Sequence, residues 1–386
     1  VASTGSVGVW PDGYTVWCEV SIYTDPYGSP TKVRLQGTPE LDGSVDFHVD
    51  KVIRDYFSSD ISAFVLPIDG GGLVQNAHGV TALFYKCRFV EGWNDTTTPV
   101  DPWDGTHEID EDEDFRIAVN GVHPYSDGVL SWPTAGMSAF LLDLAQTQRK
   151  FLTMKPRETV LGGNAGIKLT LRSDERFRVA MLTNGTTAAR LRVLNGDTGT
   201  AIGFVNTTSP SGAAVIYGVG PADLAGDFTL PSKYVVQLVT PSLDQLSERI
   251  EVTVDDTCAE TSHQFGWLNP LGGIDCHMFT GREFTTEGSN QFSVTKEYSG
   301  GTGFDWRERT YRNQPVLVHR QSSRLLDNDT RKWLGQSLMR SPNVVRAMSD
   351  TQDATVVITT ASMGTGSSRP EFRPITFEYR IGVDNL

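Results

Sequence analysis

The sequence predicts an all-β chain of tandem β-sandwich domains, Ig-like or jelly-roll-like, with a few short helices. Three observations predict it. Apolar residues alternate with polar ones over short segments, the period of a half-buried strand. These segments recur about every 8 to 12 residues and are separated by Gly, Pro, Asn and Asp clusters, the spacing of sandwiches rather than of βαβ units. Only two stretches carry the helical period instead.

Val16–Tyr23 is the first strand, with Val16, Cys18, Val20 and Ile22 on one parity. The same reading covers Lys32–Leu35, Ser44–Phe47, Val80–Val90, Arg116–Val119, Gly166–Leu171 and Phe177–Leu182. It continues through Ala213–Tyr217, Tyr234–Val239, Ile250–Val254, Thr355–Thr359 and Ile375–Ile381. Turn chemistry separates them at Pro11-Asp12-Gly13, Asp25-Pro26-Tyr27-Gly28, Asp42-Gly43, Asp69 to Gly72 and Asn195-Gly196-Asp197. Phe265 to Asp275 reads as a tight hairpin, because Asn269-Pro270 starts a turn and Gly272-Gly273 permits positive φ.

The first helix is Val49 to Phe57, with its apolar stripe at Val49, Val52, Ile53, Tyr56 and Phe57. The second runs from about 328 to 340. Asp327, Asn328 or Asp329 caps it, Trp333, Leu334, Leu338 and Met339 form its apolar face, and Ser341-Pro342 stops it. Joints near 125 and 255 divide the chain into an N-terminal sandwich (1–124), a middle sandwich (125–255) and a C-terminal β domain carrying the second helix (256–386). No short-period repeat suggests a solenoid or propeller.

The 386 residues carry 47 acids against 33 bases, a net charge of −14. Such a surface argues against duplex DNA or anionic lipid as a partner, since both require a cationic footprint. Of the bases 24 are Arg and nine Lys, a bias toward fixed, bidentate ion pairs. No run reaches the roughly 18 apolar residues of a membrane span. Val1-Ala2-Ser3-Thr4 lacks the basic and apolar regions of a secretory signal. The four cysteines, Cys18, Cys87, Cys258 and Cys276, form no CxxC and read as reduced core residues.

Candidate chemistry is sparse. Residues 108–114 hold six carboxylates in seven positions, and Asp110, Asp112 and Asp114 are weak calcium candidates. The run lacks the spacing and central Gly of an EF-hand loop, so a solvated charge block is the simpler reading. Cys258, His263, Cys276 and His277 can be drawn as a zinc set, but their spacing matches no paired form. There is no GxSxG elbow, and neither Gly218-Val219-Gly220 nor Gly300-Gly301-Thr302-Gly303 completes a phosphate loop. Trp267, flanked by apolar residues, reads as core before it reads as a carbohydrate platform. The expectation is a non-enzymatic chain with no cofactor.

Three groups of residues point further. The first is Asp42 to Phe47 leading into Val52 to Phe57. The second is Ala118-Val119-Asn120-Gly121 followed by Phe151 to Pro156. The third is Trp267 to Asp275, then Asp329 to Leu334 and Ser341-Pro342-Asn343-Val344. In that order they resemble a group of virion proteins from phages of the Bacteroidetes lineage and their prophages. The resemblance implies a tail-tip, fibre or spike component built from tandem β-domains, assembled in the host cytoplasm and carried on the virion. It implies a symmetric oligomer that contacts copies of itself and other virion proteins, and a host surface glycan or protein during attachment. It brings no catalytic residues. A capsid-vertex spike and a secreted bacterial carbohydrate-binding protein are the alternative readings.

Overall fold

The computed structural model describes residues 14–25, 28–38, 40, 44–64, 73–93, 108–111, 115–121, 141–142, 149–183, 188–208, 212–257, 261–298, 305–349, 352–359 and 373–382. The fold is all-β, with four sheets and a few short helices among the described residues.

The first sheet contains β1 (Tyr14–Tyr23), β2 (Thr31–Gly37), β4 (Ala82–Trp93), β5 (Glu108–Glu111) and β6 (Arg116–Val119), in the order β2-β1-β4-β5 with β6 also on β4. The alternation in β1 does what a two-residue period requires: Cys18, Val20 and Ile22 are buried against Leu83 and Cys87 of β4. Helix α1 (Val49–Arg54) closes this small core through Ile53, with Val49, Val52, Tyr56 and Phe57 packed around it. Glu19 points to the other face and is nonetheless buried. Its carboxylate accepts from Lys32 Nζ at 2.8 Å and Arg34 Nε at 3.1 Å, both on the neighbouring strand.

The second sheet runs β3 (Val74–Asn76), β13 (Ala214–Gly218), β10 (Arg178–Thr183), β7 (Leu141–Leu142). Every residue of β10 and β13 is buried, as expected for strands covered on both faces. The third sheet has the order β12 (Ala201–Thr208), β11 (Ala188–Asn195), β14 (Lys233–Val239), β15 (Arg249–Asp255), β9 (Ala165–Arg172), β8 (Arg157–Thr159). Its β9–β15 pair is parallel. Asn195 caps the β11–β12 turn, its Oδ1 accepting from the N–H groups of Asp197 and Thr198. The short helix α2 (Pro221–Leu224) follows β13.

The fourth sheet runs β17 (Ile274–Phe279), β16 (His263–Leu268), β20 (Val344–Ala347), β21 (Asp353–Ile358), β22 (Thr376–Ile381), β19 (Asp305–Ser322), β18 (Glu283–Tyr298). Helix α3 (Asn328–Ser337) is capped by Asp327, whose side chain accepts from Thr330 N, and a 3-10 turn over Leu338–Arg340 ends it before Pro342. The expected hairpin is β16–β17. Gly272 takes the positive φ of 79°, whereas Gly273 is required for a different reason: a Cβ there would stand 1.9 Å from the carbonyl oxygen of Leu152.

One continuous buried cluster joins the last three sheets and reaches the first through Ala82 and Phe84. It includes residues on both sides of positions 125 and 255, and β3 pairs with β13 across the first of these. The expected strand Ser44–Phe47 is irregular chain instead. Its side chains hold it in place without a ladder: Phe47 packs on the α1 core, and a Cβ on Gly37 would come within 2.4 Å of Val45.

Candidate functional site

The feature of this fold with the clearest external use is the β18–β19 ribbon. The two strands pair continuously from Glu283↔Gln321 to Tyr298↔Asp305, with a bulge between Phe292 and Ser293. Strand β19 gives only His319, Arg320, Gln321 and Ser322 to β22. The 13 pairs from Thr286↔Val318 outward have no third strand among the described residues. At about 3.4 Å per residue they span roughly 40 Å. A two-stranded ribbon of that kind is marginal in water by itself, and a strand with no outer neighbour presents a row of unpaired N–H and C=O groups. At its base Phe284 and Leu317 are more than half exposed.

The base is fixed by one carboxylate. Glu283, the first residue of β18, accepts from Arg346 Nη1 at 2.7 Å and from the Tyr379 hydroxyl at 2.5 Å. His263 Nε2 stands 3.0 Å from its other oxygen, and His319 Nδ1 stands 3.3 Å from the first. Arg346 also donates to the Tyr379 oxygen and, at 2.9 Å, to His263 Nδ1. Since a guanidinium only donates, Nδ1 is the accepting nitrogen of His263 and Nε2 carries the proton directed at Glu283. His319 stacks on the Tyr379 ring at 5.1 Å and 17°. Strands β16, β18, β19, β20 and β22 thus meet at a single anion.

Burial works against the charge of Glu283, yet the Tyr379 hydroxyl and the Arg346 guanidinium outweigh it and hold the carboxyl below its ordinary range. Burial, helped by Arg346, lowers His263 as well. Both groups are depressed in the folded state, so each contributes stability above its unfolded pKa and loses it as pH falls through the folded value. Amide-exchange protection at 283–287 and 317–321 is expected to be level above about pH 6.5 and to fall progressively below it, most steeply under about pH 4.3. Glu283→Gln should remove the steeper step, and an unchanged profile in that variant would contradict the assignment.

The residues singled out from the sequence lie elsewhere. Asp110 is in β5, while Asp112 and Asp114 fall outside the described residues. Among the described residues no group of three or more His, Cys, Asp or Glu is placed to hold a metal ion. The zinc set is dispersed: His263 faces Glu283, His277 faces Glu175 at 3.4 Å, and Cys258 lies outside the described residues. Cys18, Cys87 and Cys276 are buried and in no disulfide, and burial pushes the Cys276 thiol up to about 12. Trp267 is fully buried and donates to Ser337 Oγ at 2.6 Å, so it offers no platform for a sugar. Gly300 to Gly303 also fall outside the described residues.

Glu283, Arg346 and Tyr379 escaped the sequence reading because they come from three distant strands with no local pattern. The mixed polar composition of 283–322 likewise hid the ribbon, since neither of its faces carries a clean apolar alternation. In comparisons with known proteins, no family model, no curated protein and no solved structure matches the chain.

Proposed function

We propose that the chain is a non-enzymatic structural component of a bacteriophage particle, a tail or surface-appendage part that forms a symmetric oligomer and contributes to host attachment. The observation that carries this reading is the β18–β19 ribbon. Thirteen residue pairs with no third strand among the described residues leave a long, two-edged surface whose backbone groups favour another chain as partner. A copy of the same chain supplies such a partner at the high local concentration of an assembling particle, and rotational symmetry closes the contact. The three stretches that resemble phage virion proteins supply the biological setting.

Native mass spectrometry at micromolar concentration tests the assembly. The full chain is expected as a closed oligomer. A variant in which an Asn-Gly turn joins Glu287 directly to Leu317, paired residues in the native register, is expected as a folded monomer. A monomeric full chain would refute the ribbon's role. Absence of the chain from purified particles, probed with an antibody, would refute the virion setting.

A further inference from the structure

Strand β12 ends the third sheet, and among the described residues it has no strand neighbour other than β11. Edge strands are ordinarily shielded by short length, lysine, proline or an inward charge. The eight residues of β12 include no charge and no proline, and its one irregularity is a register shift near Ala201. In a chain that is 21% charged, the whole of 198–222 carries no charged residue. The strand is nonetheless well anchored. Thr207 Oγ1 donates to Ala189 O at 2.6 Å, and Ile202 and Val205 pack against the main core. The side that stays open carries Asn206 and Phe204, whose ring is half exposed.

The neighbouring strand makes that side basic. Leu191 and Val193 of β11 point into the core, so Arg190 and Arg192 lie on the opposite face beside Phe204 and Asn206. Lys233 and Arg249 stand on the same face, against Glu251. Elsewhere in the fold Arg34, Arg157, Arg172, Arg178, Arg324 and Arg346 each have a carboxylate partner. Arg190 instead donates to Pro241 O at 3.1 Å, with its guanidinium 5.1 Å from the centroid of the Phe204 ring. Arg192 has no hydrogen bond and no ion pair among the described residues. The acids of the flanking turns, Asp197 and Asp244, pair with neither arginine.

We propose that β12 takes an extended acidic segment of another protein as a further strand of this sheet. The guest backbone pairs with the open edge, and its carboxylates reach Arg192 and Arg190 across Phe204. Its residues of the other parity are apolar and extend the row of Ile202 and Val205. Neighbouring strands stand about 4.8 Å apart, so the guest lies about 10 Å from β11, a gap that an arginine and a glutamate side chain close together. Charge favours this place over the rest of the molecule, because a chain of net charge −14 repels an acidic segment elsewhere. An acidic glycan would satisfy the arginines and leave the backbone edge unused. The surface is separate from the β18–β19 ribbon and does not rest on the virion reading.

Arrays of eight-residue peptides test it on the full chain, with Asp or Glu at alternate positions and varied apolar residues between them. Matched arrays carry Gln or Lys instead. A subset of the acidic peptides is expected to bind, and the Lys array to stay blank. In solution anisotropy, joint Arg190→Gln and Arg192→Gln should weaken the best acidic peptide at least tenfold. Lys51→Gln, at an exposed position of α1, is the indifferent control. Both arginines are partly exposed, so an unchanged urea midpoint is expected for their replacement. Single N-methylations along the peptide probe the edge itself. Only alternate N–H groups of a guest strand face β12, so loss and tolerance should alternate. No acidic peptide bound, binding indifferent to the arginines, or no alternation each overturns the proposal. Tighter capture of polygalacturonate than of any acidic peptide overturns it in favour of a glycan. Self-association of the ribbon-shortened chain, abolished by Phe204→Lys, overturns it in favour of a second copy.

Discussion

Asp223→Ala is expected to destabilise the protein by about 3–5 kcal/mol, the cost of removing one member of a buried ion pair. Arg178 on β10 is fully buried, and its Nη2 lies 3.8 Å from Asp223 Oδ1. The other carboxylate oxygen accepts from Phe177 N at 3.1 Å and from Gly220 N at 3.3 Å. Truncation therefore leaves the buried guanidinium without its carboxylate and removes the acceptor of the Phe177 amide in one step. Burial pushes Asp223 up and Arg178 down, so desolvation outweighs the attraction of each for its partner. That balance makes the pair a poor source of net stability and a severe loss when halved. Urea unfolding should show the full cost for Asp223→Ala, and the joint replacement Arg178→Met with Asp223→Leu should recover most of it. A single-variant cost below about 1 kcal/mol would contradict this reading.

Gly273→Ala is expected to cost about 2–3 kcal/mol, at the upper end of overpacking. The added Cβ would lie 1.9 Å from Leu152 O and 2.8 Å from Leu152 Cβ, so the obstacle is backbone and cannot rotate away. The same Leu152 oxygen accepts from Asn269 Nδ2 at 2.8 Å, and Asn269 Oδ1 in turn accepts from Leu271 N and Gly273 N. Displacing the β16–β17 turn therefore breaks the contact that ties it to residues 151–154. Gly226→Ala is the matched control: a Cβ there meets nothing within 4 Å and no positive φ is required, so a change from about zero to a gain of about 1 kcal/mol is expected. Equal urea midpoints for the two variants would refute the argument.

Local features of this fold were readable and distant ones were not. Strand β1 was legible because Cys18, Val20 and Ile22 alternate with polar residues on a sheet with one covered face. Helix α3 was legible because Asp327 caps it chemically and Pro342 stops it. Ser44–Phe47 has the same alternation as β1 but no strand to pair with, and alternation alone does not supply one. The Glu283 base could not be read, since Arg346 and Tyr379 reach it through ladder order, which no local spacing encodes. His277 and Lys155 lie 122 positions apart in the sequence yet both meet Trp333, and only α3, which carries Trp333 and Thr330, brings them together. The acidic run at 108–114 drew attention because it is contiguous, and contiguity is the property that distant-residue sites lack.

The pairing of β3 with β13 has a consequence for synthesis. Between Asn76 and Ala214 lie 137 positions, so the ribosome must add that much chain before β3 can find its neighbour. At roughly 5–20 residues per second the delay is on the order of 10 s. During it the segment around Val74 is a nascent strand with an open edge, exposed to other chains on the same polysome. The parallel β9–β15 pair adds a second, later closure of the same type. Yield in a host should therefore depend on chaperone supply and growth temperature more than on the stability of the finished protein, and fragments ending before residue 214 should accumulate as aggregates.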